Sequence, residues 1–165
     1  EKPSNVVFKK VKTGHEFLIQ SINSLPADIY VSVAAISDWK IKNKFAKKIK
    51  KNGSPPKIEL IENVDVLSKI SNSNKRPNLI IGFAGESKDL VRNPNKKLLE
   101  KKCDWILANI VSESIGFNST KNKVTIIKKN FTKEWPTLEK STVAKKLVME
   151  ISDFFLEQNK KDANV

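Results

Sequence analysis

The sequence has little cysteine, histidine and arginine, and each shortage excludes a class of chemistry. A single cysteine, Cys103, in 165 residues excludes an internal disulfide and is typical of a reducing cytoplasm. One histidine and one cysteine exclude the usual zinc sites and make Ser–His or Cys–His catalysis hard to build. No apolar run approaches the ~20 residues of a membrane span, and EKPSNVVFKK at the start lacks a signal-peptide apolar region. We therefore expect a cytoplasmic protein that has no membrane partner.

The scarcity of arginine also bears on the charge of the chain. The formal net charge is +13, which is typical of nucleic-acid-binding proteins. However, only Arg76 and Arg92 among the 31 basic residues are arginine, the residue favoured for bidentate contacts with bases and phosphates. Lysine, asparagine and isoleucine share AT-rich codons, so much of this charge is consistent with genomic background. We expect no nucleic-acid partner, and a basic nucleic-acid-binding α/β module remains the alternative.

Buried strands alternate with helical segments along the chain, which indicates an α/β fold. Hydrophobic residues make up 39% and charged residues 30%, as in a globular protein. We predict one domain over residues 1–165, with a Rossmann-like, mainly parallel sheet flanked by helices. The run at 28–35 is almost continuously apolar, which predicts a strand buried on both faces. The remaining predicted strands are 57–61, 78–84, 103–111 and 123–128, and the predicted helices are one capped by Thr13 and those at 65–70, 94–102 and 137–159.

Small and polar residues follow the predicted parallel strands at their carboxyl ends, where open α/β sheets bind ligands. Ala34 and Ala35 leave room for a ligand to approach the backbone, and Asp38 supplies a carboxylate that could hold Mg²⁺. Asp38 could equally cap local backbone amides. Neither G-x-G-x-x-G nor G-x-x-x-x-G-K-[ST] is present.

Lysines are concentrated near the same edge. Residues 40–51 contain seven lysines and no acidic residue, and Lys97 and Lys101 share one helical face. Converging lysines with one carboxylate suit a nucleotide triphosphate, although both groups could also be solvated surface. The residues alone therefore predict an α/β domain with an anion site.

Several short motifs follow one another in register along nearly the whole chain. They are AAISDW at 34–39, KIKK at 48–51, ENVDVL at 62–67, GFAGES at 82–87, Lys97 and Lys101 before DWILAN at 104–109, and GFNS at 116–119. In order and spacing they resemble phosphopantothenoylcysteine synthetase, the phosphopantothenate–cysteine ligase of coenzyme A biosynthesis.

The resemblance implies a reaction, substrates and partners. Bacterial members use CTP to convert the carboxylate of 4′-phosphopantothenate to an acyl-cytidylate, and cysteine then displaces CMP. It further implies Mg²⁺, a homodimer, and a short antiparallel strand pair around a mobile lysine-rich flap at 40–56. In this interpretation Lys48 is the catalytic lysine that reaches the nucleotide, and the strand at 57–61 lies at the dimer interface. A flavin-dependent decarboxylase is often fused upstream, and FMN is implied only in that case.

The resemblance also assigns nucleotide-binding residues by position. Asp38 either reads the base or holds Mg²⁺, and Val64 replaces the usual proline of an N-P-D-I-type segment. Phe83 lies beside CTP, and two lysines face the phosphates. The complete implied set for CTP is Ala34, Ala35, Asp38, Lys48, Val64, Asp65, Val66, Leu67, Phe83, Lys97 and Lys101.

The chain departs from the family pattern at its N-terminal end. The glycine-rich G-G-T-x-E-x-I-D turn and the N-x-S-S-G segment are absent from residues 1–165. We therefore expect a truncated ligase domain with a complete nucleotide half-site and an incomplete phosphopantothenate half-site. An inactive ligase-like fragment that needs a partner segment is the other alternative.

Overall fold

The computed structural model describes residues 4–43, 49–50, 53, 55–86, 94–110 and 119–163. The side chains of residues 86, 94, 95, 97 and 110 lie outside this description. Four helices occur among these residues: α1 (Gly14–Ile22), α2 (Val66–Ser71), α3 (Pro94–Lys101) and α4 (Lys140–Asp162). No helix within these ranges combines the length and apolar character that a membrane crossing requires.

The central sheet has five strands in the order β1-β4-β5-β7-β8. β1, β4 and β5 are parallel, whereas β7 and β8 are antiparallel additions. Two-stranded antiparallel pairs form from β2 with β3 and from β6 with β9. The predicted α/β fold, with a mostly parallel sheet and a short antiparallel pair, is confirmed. The strands are β1 (Ile29–Ser32), β2 (Trp39–Ile41), β3 (Leu60–Glu62), β4 (Leu79–Glu86), β5 (Trp105–Ile110), β6 (Lys121–Asn122), β7 (Val124–Lys128), β8 (Phe131–Glu134) and β9 (Leu138–Glu139).

Both faces of β4 and β5 are buried, as their continuous apolar runs predict. Ile80 and Ile106 face one layer, which α1, α2 and α3 cover. Ile81 and Leu107 face the opposite layer, which α4 covers with Val143 and other apolar residues. Leu147, Ile151, Phe154 and Phe155 continue this apolar stripe along α4.

The prediction that the first strand is buried on both faces is wrong. The strand covers only Ile29–Ser32, lies at an edge of the sheet, and alternates between exposed and half-buried residues. An apolar run shows that a strand is suited to burial on both faces, but the covering elements must come from elsewhere. Within the described residues, β4 is the only strand paired with β1.

The N-terminus of α1 forms much as predicted. Thr13 is the N-cap, and its Oγ1 accepts a hydrogen bond from the Glu16 amide at 3.1 Å. The Glu16 carboxylate accepts from the Lys12 amide at 2.7 Å instead of the Thr13 amide, so only half of the capping box forms.

One carboxylate ties β4 to β5 where these two strands begin. Asp104 Oδ2 accepts hydrogen bonds from the Ile80 amide at 2.7 Å and from Arg76 Nη2 at 2.8 Å. The Asp104 amide donates to the Ile80 carbonyl at 2.9 Å. These contacts fix the relative position of the strands at their amino ends.

Candidate functional site

A cleft of about 320 Å³ lies at the carboxyl ends of β1 and β4. This edge of an open parallel sheet is where ligands bind in α/β proteins. The loop from β1 to β2 forms one wall and the loop from β3 to α2 forms another. Phe83 of β4 and Lys101 of α3 complete the lining.

Asn63 holds the two loops of the cleft together. Its backbone amide donates to the Asp38 carbonyl at 2.7 Å, and its Nδ2 donates to the Ser37 carbonyl at 3.0 Å. Its Oδ1 accepts from the Val64 amide at 2.9 Å. Asn63 belongs to the motif at 62–67, but it was not among the residues assigned to the site. The sequence feature that could have identified this residue is its position between a strand and a helix cap. Such a position suits a side chain that can both donate and accept hydrogen bonds.

A glycine allows α2 to approach the sheet beneath the cleft. A Cβ placed on Gly82 would lie 2.5 Å from Leu67 Cδ2, closer than any real contact. Leu67 therefore rests against the bare backbone of β4, while Val66 beside it is buried. This close packing brings the start of α2 to the cleft.

Asp65 and Lys101 form an ion pair in the cleft. Asp65 is the N-cap of α2, and its Oδ1 accepts from the Ser68 amide at 3.0 Å. Its Oδ2 accepts from Lys101 Nζ at 2.6 Å. The two side chains remain 41% and 36% exposed, respectively. A pair this exposed contributes ~0–1 kcal/mol, so an incoming phosphate could take the amino group from Asp65 at little cost.

The carboxylate of Asp38 is exposed at the cleft. No hydrogen bond or ion pair to another described residue engages it, so the local capping role considered from the sequence is not observed among those residues. No group of three or more metal-ligating His, Cys, Asp or Glu side chains occurs in the described part of the chain. Asp38 nevertheless fits Mg²⁺, which typically takes one or two carboxylates together with substrate phosphates and water.

The described lining residues give the cleft an acidic balance. Asp38, Glu62 and Asp65 supply three carboxylates, whereas Lys101 supplies one amino group. Binding a triphosphate here therefore requires additional positive charge, from a cation or from lysines outside the described residues.

Most of the residues assigned from the motifs meet in this cleft. Ala35 lines a neighbouring groove instead, which shares Ala34 and Phe83 with the cleft. Lys48 and the side chain of Lys97 lie outside the described residues, as do residues 44–47, 51, 52 and 54 of the predicted flap. The assigned residues that line the cleft are Ala34, Asp38, Val64, Asp65, Val66, Leu67, Phe83 and Lys101.

Cys103 does not line the cleft. It is buried before β5, and burial raises the pKa of its thiol from 9.0 to about 11. The thiol is therefore protonated at neutral pH and is not an activated nucleophile.

Residues 1–155 match the family described as DNA/pantothenate metabolism flavoprotein C-terminal domain. The chain belongs to this family. The resemblance drawn from the motifs is thus confirmed. Among the relatives of this chain, the coenzyme A biosynthesis bifunctional protein CoaBC of Borreliella burgdorferi is 37% identical over 149 residues, which cover 88% of this chain and 37% of the relative. The Bacillus subtilis protein of the same name is 34% identical over 128 residues, covering 76% of this chain and 31% of the relative.

The fold agrees with a solved structure in the same group. The C-terminal domain of coenzyme A biosynthesis bifunctional protein CoaBC superposes with a TM-score of 0.74 at 26% identity. The match covers 95% of this chain and 70% of the solved domain. The chain therefore spans about a third of the length of the two bifunctional relatives and part of the solved domain.

Proposed function

We propose that the chain carries the CTP-binding part of a phosphopantothenate–cysteine ligase. In this reaction a carboxylate oxygen of 4′-phosphopantothenate attacks the α-phosphorus of CTP, which forms an acyl-cytidylate and releases pyrophosphate. The amine of cysteine then attacks the acyl carbon, forms the amide and releases CMP. Such chemistry depends mainly on positioning and on neutralising phosphate charge.

One observation carries the proposal. Eight of the residues assigned to CTP from the motifs line a single cleft at the carboxyl ends of β1 and β4. They come from segments far apart in the sequence, between Ala34 and Lys101, so local sequence composition does not bring them together. Membership in a family whose relatives are named as coenzyme A biosynthesis proteins supports the same function.

The described side chains suggest separate roles in binding. Ala34 leaves backbone accessible, and Phe83 offers an apolar wall for a base or ribose. Lys101 can break its ion pair with Asp65 and bind a phosphate oxygen instead. Asp38 either accepts from the amino group of the base or holds Mg²⁺, which would neutralise phosphate charge when bound.

Lys48 remains the proposed catalytic lysine, because it is the first lysine of the KIKK motif. A lysine on a flap could close over the acyl-cytidylate and exclude water from a hydrolysable bond. We expect Lys48→Ala to slow pyrophosphate release far more than Lys50→Ala does, in a ligase assay with all three substrates. Equal effects would mean that the flap supplies only diffuse charge.

The direct test is calorimetric titration of the chain with CTP and Mg²⁺, with ATP in parallel, at low and moderate salt. We expect saturable binding that favours CTP and depends on Mg²⁺. Absence of nucleotide binding would overturn the proposed half-site. If the chain instead bound oligonucleotides with an affinity that fell steeply with salt, the alternative of a nucleic-acid-binding module would replace it.

The complete reaction needs more than the residues of this cleft. We propose 4′-phosphopantothenate and cysteine as the remaining substrates, a homodimer as the assembly, and an associated or fused phosphopantothenoylcysteine decarboxylase. The relatives are named as bifunctional proteins, and this chain spans about a third of their length, which is compatible with a second activity elsewhere in such proteins. FMN belongs to the proposal only together with that decarboxylase.

A further inference from the structure

The two peptide groups on either side of the Asp38 Cα are both held by one residue. The Ser37 carbonyl accepts a hydrogen bond from Asn63 Nδ2 at 3.0 Å, and the Asp38 carbonyl accepts from the Asn63 amide at 2.7 Å. A peptide group is planar, so fixing the two groups that flank a Cα leaves its φ and ψ little freedom. The direction of the Asp38 Cα–Cβ bond is therefore set by Asn63.

The side chain of Asn63 extends the β2–β3 ladder by one residue. In that ladder Trp39 pairs with Glu62, and the bond from the Asn63 amide to the Asp38 carbonyl continues it. Ser37 lies beyond the reach of the backbone of β3, and the Asn63 Nδ2 reaches its carbonyl instead. The N-terminal side of Asp38 is thus tied to the opposite loop by a side chain.

The Asp38 carboxylate has no support of its own in the part of the chain that the structure describes. It is exposed at the cleft, and no described residue forms a hydrogen bond or ion pair with it. Ser37 Oγ donates to the Trp39 carbonyl at 2.8 Å, but this bond closes within the same segment. The orientation of the carboxylate therefore depends on the backbone that Asn63 holds.

The Asn63 side-chain amide is itself held in one orientation. Its Oδ1 accepts from the Val64 amide at 2.9 Å, so Nδ2 is the atom that faces the Ser37 carbonyl. The N-terminus of α1 packs against the same group, since a Cβ placed on Gly14 would lie 3.5 Å from Asn63 Nδ2 and 3.1 Å from Ile36 Cγ2. The helix therefore contacts both the asparagine and the loop that the asparagine holds.

We propose that Asn63 is a positioning residue, which aims the Asp38 carboxylate into the cleft and so sets the affinity for the nucleotide. Groups that bind a ligand must be held within about 0.5 Å of their productive position by supporting hydrogen bonds. Loss of the partners that orient a metal-binding group typically lowers metal affinity about 10- to 100-fold. The inference rests on the proposed function, in which Asp38 contacts the base or Mg²⁺.

A double-mutant cycle tests whether Asn63 acts through Asp38. Calorimetry with CTP and Mg²⁺ gives the Kd of the chain, of Asn63→Ala, of Asp38→Ala and of the double variant. We expect Asn63→Ala to raise the Kd about tenfold when Asp38 is present, and less than about twofold when Asp38 is already alanine. A residue that only stabilises the loops, or that contacts the nucleotide directly, would raise the Kd by the same factor in both backgrounds.

Asn72→Ala is the matched control. Asn72 Nδ2 also donates to a backbone carbonyl, that of Ser68 at 2.7 Å, and its Oδ1 accepts from Lys102 Nζ at 2.8 Å. The residue does not line the cleft. We therefore expect its Kd to change by less than about twofold, while urea unfolding verifies that every variant folds.

NMR relaxation of the ligand-free chain provides a readout that does not depend on the nucleotide. The Asp38 amide belongs to the same peptide group as the Ser37 carbonyl, so its order parameter should fall in Asn63→Ala. The Trp39 amide should change less, because its peptide group keeps the bond to the Asn63 backbone. Asn72→Ala should leave both amides unchanged.

Two results would overturn the inference. The first is an equal effect of Asn63→Ala on the Kd in both backgrounds of the cycle. The second is an unchanged order parameter of the Asp38 amide in Asn63→Ala. If the chain failed to bind CTP while the Asp38 amide lost order as expected, the proposed function would be refuted, and the orientation of Asp38 by Asn63 would be supported.

Discussion

Replacing Lys101 by alanine tests whether this lysine binds a phosphate specifically or only adds to the surface charge. Its Nζ lies 2.6 Å from Asp65 Oδ2, and both side chains are more than a third exposed. Losing so exposed a pair should lower the free energy of unfolding by ~0–1 kcal/mol. Losing a charge-assisted hydrogen bond to a phosphate should reduce the binding free energy by ~1.5–3 kcal/mol. The second loss corresponds to about a 10- to 150-fold rise in the Kd for CTP.

The chain offers a control in the same helix. Lys96 pairs with Glu100 four residues later and is 67% exposed. Lys96→Ala removes the same charge at the surface, so we expect its Kd to change by less than about twofold. Calorimetric titration with CTP and Mg²⁺ gives the Kd, and urea unfolding gives the stability of each variant. Equal weakening by both variants would refute a specific phosphate contact, and unchanged binding by Lys101→Ala would remove the residue from the site.

Three further predictions concern the cleft and the core. Asp65→Asn keeps an acceptor for the cap of α2 but releases Lys101, so urea unfolding should show a loss of at most about 1 kcal/mol, whereas Asp65→Ala should cost about 1 kcal/mol more; equal stability of the two would contradict the capping role. Gly82→Ala should destabilise by ~1–3 kcal/mol and weaken nucleotide binding, because Leu67 must move; an unchanged melting temperature would show that Leu67 repacks freely. With its pKa raised to about 11, Cys103 should resist alkylation at pH 8 until the chain unfolds, and reaction of the folded chain at the rate of a free thiol would refute this.

The sequence predicted burial correctly for the strands that described helices cover on both faces. The apolar runs of β4 and β5 indicate burial on both faces, and helices on each side provide it. The run at 28–35 has the same pattern, but one face of β1 is bare. β8 was not predicted, because FTKE at 131–134 is exposed throughout and shows no alternation. A local pattern indicates the degree of burial that suits a segment. The tertiary neighbours of that segment determine how much of it is buried.

The sequence could predict where the cleft lies, but it could not predict most of the contacts within it. Parallel topology places the ends of β1 and β4 together, so Asp38 and Phe83 could be expected at one edge. The pairing of Asp65 with Lys101 could not, because it joins residues 36 apart through the packing of α2 against α3. Asn63 lies in the motif at 62–67 but was not assigned to the site, because its three hydrogen bonds depend on how two loops meet.

The contacts of the Asp104 carboxylate that join two strands lie away from the cleft in the same sheet. The carboxylate ties β4 to β5 at their amino ends through Ile80 and Arg76, whereas the cleft lies at the carboxyl ends of β1 and β4. Sequence drift that strengthens or weakens this tie can adjust how well the domain resists unfolding without altering the residues that would meet a ligand. The free energy of unfolding can therefore change through contacts at one end of β4 while the residues that line the cleft at its other end stay the same.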